Sequence, residues 1–197
     1  MDVESQQKSE DRPGEIALGN TQISLADMPV VVDEGSVSHI DPTIYPSEFE
    51  VWQFKSHGEE YVYKIMKGRR QKELGTAHSA ATQKKQLYEQ LKKYFGDYLL
   101  GSHFIIGMDN NGKEKLVIIQ PKFQGRIVRM DQFGKADSET SKVSRQVDKL
   151  VKKLSQAAND PQLTNFPGFV KDVDGNEMFS LGNMLASADG TVRIIDW

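Results

Sequence analysis

Gly182-Asn183-Met184-Leu185-Ala186-Ser187-Ala188-Asp189-Gly190-Thr191-Val192-Arg193-Ile194-Ile195-Asp196-Trp197 is the stretch that decides how the rest of the chain is read. An apolar run, an Asp-Gly turn signal and a second apolar run lie between Asn183 and Asp196, which is the pattern of a β-hairpin. Such a hairpin would draw the two polar residues, thirteen positions apart in sequence, toward one spot. Carboxamide and carboxylate oxygens suit Mg2+, which completes its shell with phosphate oxygens and water. Asn183 and Asp196 are therefore the candidate metal ligands.

Working back from this hairpin, residues 162–180 are rich in turn formers and read as irregular. Val143, Val147, Leu150, Val151 and Leu154 precede them at helical spacing, and that helix should stop near Asn159-Asp160-Pro161. His103-Phe104-Ile105-Ile106-Gly107-Met108 and Lys115-Leu116-Val117-Ile118-Ile119-Gln120, joined by Asp109-Asn110-Asn111-Gly112, predict a second hairpin whose latter strand is buried on both faces. Residues 77–98 place Ala80, Ala81, Lys84, Leu87, Tyr88, Leu91, Tyr94 and Phe95 on one helical stripe. Further upstream, Phe49-Glu50-Val51-Trp52-Gln53-Phe54 and Tyr61-Val62-Tyr63-Lys64-Ile65-Met66 flank the turn Ser56-His57-Gly58-Glu59. With Met28-Pro29-Val30-Val31-Val32 as a further strand, they predict an antiparallel three-stranded start. Residues 1–28 read as a flexible segment with one short strand near Ile23. The fold class expected is α+β.

Composition narrows the function classes. The chain has 197 residues, 38% of them hydrophobic, enough for one sizeable domain or a two-lobed one. A formal charge of -3 argues against a general nucleic-acid footprint. With no Cys, disulfide scaffolds, thiolate metal sites and Cys nucleophiles are excluded. No run approaches the ~20 apolar residues of a membrane span, and no secretory leader is visible at Met1, so no membrane partner and a cytoplasmic location are expected.

The order of strands, helix, hairpin, linker, helix, irregular loop and hairpin resembles that of the protein-kinase-like fold through its metal-binding segment. The closing stretch, Gly182-Asn183-Met184-Leu185-Ala186 then Ile194-Ile195-Asp196-Trp197, is similar to that of aminoglycoside phosphotransferase and related small-molecule kinases. The resemblance implies an antiparallel N-lobe over 29–120, a hinge at 121–126 and a partial helical C-lobe over 127–197. It also implies ATP and Mg2+ as cofactors, with Asn183 on one metal ion and Asp196 bridging metal to phosphates. Lys64 would neutralise the ATP phosphates, with Glu89 as its acidic partner. Gln120 and Phe123 would lie at the adenine-binding hinge. Read alone, Lys64 is an ordinary edge-strand charge, Glu89 a solvated helix charge, and Gly35-Ser36-Val37-Ser38 a turn with one Gly where a phosphate loop uses several.

Two departures bear on activity. The family's catalytic Asp stands five positions before the Asn, and here that position is Met178, whose thioether accepts no proton. Asp172 or Asp174 would have to supply the carboxylate. The sequence also stops after Trp197, where the family continues into acceptor-binding helices. The expectation is therefore either a phosphotransferase-like, nucleotide-binding region with an unknown acceptor, or a pseudokinase-like interaction module; a second polypeptide could complete the C-lobe.

Competing patterns fail on their own terms. The closing hairpin also resembles a WD-type propeller repeat, but no second copy appears. Asp172-Val173-Asp174-Gly175-Asn176 opens like a calcium loop, then lacks the required Gly and Glu. The four His lack metal-ligand spacing, and the Lys-rich faces at Lys84, Lys85, Lys92 and Lys93, and at Lys149, Lys152 and Lys153, read as solvated.

Overall fold

The computed structural model describes residues 14–40, 49–128, 138–157, 160, 161, 163, 169–171, 177–179 and 184–195. It is a mixed α+β protein built on an antiparallel, β-rich sheet and a long helix. The chain divides into two compact units, residues 1–83 with 103–120, and residues 84–102 with 121–197.

The first unit opens with β1 (Glu15–Leu18) and β2 (Thr21–Ser24), then the short β3 (Ser38–His39), β4 (Phe49–Ser56) and β5 (Glu59–Met66). After α1 (Gly68–Leu74) and α2 (Ala77–Phe95), the chain returns through β6 (His103–Asp109) and β7 (Glu114–Pro121). These strands form one seven-stranded sheet in the order β1-β2-β6-β7-β5-β4-β3. Ile23 lies in the strand expected near it, and β1 pairs with that strand through a turn at Gly19.

The expected strand at residues 28–32 is not one. Pro29 has no N–H to give a ladder, and the chain bends at Pro29 and Val30 without joining the sheet's ladder. Met28, Val30 and Val32 pack on the sheet while Val31 is 64% exposed, so the alternation that suggested a strand reflects one-sided packing. The third strand of the expected meander is instead β3, which pairs with Trp52 and Gln53 of β4.

Alternation along the strands sorts side chains into two cores. Leu18, Ile23, Phe54, Tyr63, Ile65, Val117 and Ile119 pack together in one. Phe49, Met66, Leu116, Ile118 and Ala80 of α2 pack in the other. Residues 116–119 of β7 thus feed both cores in turn, which is why that strand is apolar throughout. Phe54 and Tyr63 stack at 4.2 Å between ring centroids, and burial pushes the Tyr63 phenol above its ordinary pKa.

The β4–β5 hairpin turns on His57 and Gly58, both at positive φ (50° and 82°), as a two-residue turn matching strand twist requires. Asp33 fastens it from outside: the His57 N–H donates to Oδ1 at 3.0 Å and the Gly58 N–H to Oδ2 at 3.1 Å. Those two N–H groups, Gly58 first, hold the Asp33 carboxyl below the usual carboxylate range.

Thr76 starts α2 by accepting the Ser79 N–H on its hydroxyl at 3.1 Å, an N-cap. Lys92 and Lys93 in the last turn, followed by Gly96 at φ 52°, end it favourably. Its buried positions, Ala77, Ala80, Lys84, Tyr88, Leu91 and Phe95, repeat every three or four residues. The helix passes from the first unit into the second between Gln83 and Lys84.

In the second unit, β8 (Arg126–Ile127), β11 (Met184–Ala186) and β12 (Val192–Ile194) form a three-stranded sheet in the order β12-β11-β8. Between β8 and β11 the chain makes α3 (Ser138–Ala157), β9 (Phe169–Lys171) and β10 (Glu177–Phe179). β9 and β10 pair with each other within the stretch expected to be irregular; three residues apiece are too few to carry a visible period. α3 buries Val143, Val147, Leu150 and Ala157, while the side chains of Val151 and Leu154 lie outside the described ones. Tyr94 donates its hydroxyl to Asp160 at 2.8 Å, and Lys153 Nζ donates to the Tyr94 carbonyl at 2.9 Å, tying α2 to α3 and the segment after it. No described helix is long and apolar enough to cross a membrane.

Candidate functional site

The hairpin expected from the closing stretch is present. β11 and β12 are antiparallel, with Met184 opposite Ile194, Leu185 opposite Arg193 and Ala186 opposite Val192. Asn183 immediately precedes Met184 and Asp196 follows Ile194 by two residues, so the register pairs the strand ends that flank the two candidate ligands. Asn183 and Asp196 themselves lie outside the described residues, as do Asp172 and Asp174.

The turn of this hairpin satisfies its own polar groups. The Gly190 N–H donates to the Ser187 carbonyl at 2.9 Å, and Gly190 takes the positive φ (82°) the turn needs. Asp189 accepts from the Ser187 hydroxyl, from the Thr191 N–H at 3.0 Å and from the Thr191 hydroxyl at 3.1 Å. The Ser187 hydroxyl, followed by the two Thr191 donors, holds its carboxyl below the ordinary value, so Asp189 is a turn-closing anion.

The far edge of β12 is engaged as well. Gln146 of α3 donates from Nε2 to the Gly190 carbonyl at 2.6 Å, and its Oε1 accepts the Val192 N–H at 3.0 Å. The Val192 carbonyl accepts from Arg193 Nη1 at 3.0 Å, and the Ile194 carbonyl from the Leu100 N–H at 3.1 Å. The Arg193 guanidinium also stands 5.9 Å from the centroid of the Phe123 ring. Phe123, Gln124, Ser187, Ala188, Asp189 and Thr191 line an open cleft of about 490 Å³ in this unit.

The other expected site residues fall as follows. Lys64 is half-buried on β5, opposite Val51 of β4, in the first unit. Strand alternation puts it on the face carrying Met66, which packs with Phe49 and Ala80. Gln120, 1% exposed, ends the buried run of β7 in the same unit. Glu89 is exposed on the part of α2 that belongs to the second unit, and Phe123 is half-buried in that unit. Met178 is in β10, paired with Val170 of β9. Lys171 and Glu177 are cross-strand partners, so the connection carrying Asp172 and Asp174 leaves from and returns to one rung.

Gln146 is the residue that the sequence reading passed over. It stands three positions after Val143 and four before Leu150, on the flank of the buried stripe of α3. A polar side chain at such a position has to find partners or lose solvation, and that was the available signal. Among the described residues no group of three or more His, Asp or Glu side chains could hold a metal ion. No protein-family model matches the chain, and no curated protein matches it in sequence.

Proposed function

We propose that this chain is an ATP- and Mg2+-dependent phosphotransferase-like protein of kinase-like fold. The observation that carries the reading is the β11–β12 register, which pairs the strand ends flanking Asn183 and Asp196. The order of elements around it supports the same reading: antiparallel strands with Lys64 on β5, the long α2, the β6–β7 hairpin carrying Gln120 next to its end at Pro121, then α3 and the closing hairpin. The donor set fits the metal in kind, since Asn and Asp offer the hard oxygens Mg2+ takes. When bound, Mg2+ offsets phosphate charge and orders the phosphate oxygens. Lys64 would add its ammonium to the phosphates, while Gln120 and Phe123 would hold the base. Asp172 or Asp174 would accept the proton of the acceptor hydroxyl.

A thermal-shift measurement with ATP and Mg2+ tests nucleotide binding, because a ligand that binds only the folded state raises its stability by about 2.7 kcal/mol at a hundredfold excess over Kd. Wild type should shift, and Lys64→Met and Asp196→Asn should shift less. No shift in wild type at millimolar nucleotide refutes the reading.

A pseudokinase-like interaction module is the second reading, and Met178 favours it, paired into a β-ladder at the position where the family carries its catalytic Asp. ATP turnover decides between the two. Turnover lost in Asp172→Ala or Asp174→Ala supports phosphotransfer, whereas equal background rates in wild type, both variants and Asp196→Asn leave the interaction module.

A further inference from the structure

α3 carries its charge on one side. Lys142, Arg145, Lys149 and Lys152 are all exposed and follow one another at intervals of three, four and three residues. At 3.6 residues per turn that spacing keeps the four cations within about 80° of arc and spreads them along about 15 Å of helix. Val143, Val147 and Leu150 are buried on the other side. Among the described side chains of α3 the one acid is Asp148, at the margin of the stripe, and one carboxylate does not offset four cations.

The helix cannot roll to bring the stripe against acids of its own unit. It is held by those apolar side chains, by Gln146 on Gly190 and Val192 of the closing hairpin, and by Lys153, whose Nζ donates to the Tyr94 carbonyl at 2.9 Å. Like charges three and four residues apart destabilise a helix, so an anion laid along the stripe stabilises α3 as well as being held by it.

Charge complementarity asks for carboxylates or phosphates, and three features favour the carboxylates of a polypeptide. α3 has no aromatic residue on which a nucleic-acid base could stack. Apart from these four cations the chain carries a formal charge of -7 (-3 minus 4), which repels a polyanion longer than the stripe. A lipid surface would need apolar side chains exposed beside the cations, and Val143, Val147, Leu150 and Ala157 are buried. An extended polypeptide covers about 15 Å in about five residues.

We infer that the basic stripe of α3 is a docking surface for an acidic segment of a partner protein, a run of about five Asp and Glu residues lying along Lys142, Lys149 and Lys152. The inference stands whether or not the chain binds nucleotide or transfers phosphate.

The test is fluorescence anisotropy of a fluorescein-labelled peptide of about eight Glu residues, long enough to overlap the stripe, titrated with the full chain. Wild type should bind it, and raising the salt from about 0.1 M to about 1 M, which shortens the screening length from about 10 Å to about 3 Å, should release it. Lys149→Glu with Lys152→Glu should weaken binding about tenfold, and the milder Lys149→Gln with Lys152→Gln, which answers if the first pair does not fold, about threefold. Lys55→Glu with Lys113→Glu makes the same change in net charge at exposed positions of the first unit and should bind as wild type does. Equal weakening in that control, or wild-type binding by the Gln pair, overturns the inference. So does a wild type that binds no peptide, or one that binds an oligothymidylate of equal charge or a phosphatidylserine vesicle more tightly than the peptide.

Discussion

Replacing Gly107 with Ala should loosen the β1–β2 hairpin. Gly107 lies in β6 where β2 runs alongside, and a methyl carbon built there would stand 2.8 Å from Thr21 Cγ2, 3.1 Å from the Gln22 carbonyl oxygen and 3.2 Å from Ile23 Cγ1. Ordinary contact begins at 3.4 Å, so the shortfall against Thr21 is 0.6 Å (3.4 minus 2.8). Thr21 and Ile23 are 5% and 0% exposed and have no room to turn aside, and the Gln22 oxygen is backbone. β2 must therefore lift. Overpacking of this kind costs about 1–3 kcal/mol, against about 0.4–1 kcal/mol returned by removing a glycine from the unfolded chain, so mid-range values of ~2 and ~0.7 kcal/mol leave a net loss of about 1.3 kcal/mol. Trp52 is the natural reporter, because its Cζ2 lies 3.0 Å from where a Cβ on Gly19, in the hairpin turn, would sit. The sequence has two Trp, so a Trp197→Phe background isolates its fluorescence during urea unfolding. Thr21→Ser removes the Cγ2 methyl, and combined with Gly107→Ala it should recover about half of the loss, a coupling of at least ~0.5 kcal/mol. A Gly107→Ala protein within ~0.5 kcal/mol of its parent, or one that Thr21→Ser does not rescue, refutes the close-approach argument.

Two further outcomes follow from the packing and the turns. Leu91→Ala in α2, where the side chain is 0% exposed, should cost about 2–5 kcal/mol in urea unfolding, and a loss under ~1 kcal/mol would mean the helix is not held by that face. The Asp33 carboxyl has a depressed folded pKa, so its stabilisation is present above the unfolded value of about 3.9 and is lost as pH falls through the folded one. Asp33→Ala should therefore flatten the acid limb of the stability profile, and an unchanged limb would refute the role given to the His57 and Gly58 N–H groups.

Legibility in the sequence tracked the length and one-sidedness of each element. α2 was readable because its buried positions recur over nineteen residues, and β7 because its two faces pack into two different cores and both must be apolar. The closing hairpin was readable from Asp189-Gly190, whose turn chemistry is local. α1 was missed because its sequence, Gly-Arg-Arg-Gln-Lys-Glu-Leu, has one apolar residue in seven and no side-chain cap at Lys67. The false strand at residues 28–32 arose because a segment that packs Met28, Val30 and Val32 on one side has the same two-residue period as a strand. At the candidate site, the register around Asn183 and Asp196 follows from local pattern. Gln146 does not, because its partners lie 44 and 46 residues away and a polar residue beside an apolar stripe announces a need without naming what meets it.

The engaged outer margin of β12 also governs how this unit can associate. An exposed edge strand is a template for another chain, since its unpaired backbone groups invite strand addition, domain exchange or fibril growth. Here the outward carbonyls of Gly190, Val192 and Ile194 and the N–H of Val192 are already taken, by one glutamine, one arginine and one backbone amide. An incoming strand would have to displace the Gln146 amide before gaining its first rung. Gln146→Met would remove that guard, so the variant should become more prone to self-association in the folded state, which size-exclusion chromatography at rising concentration checks.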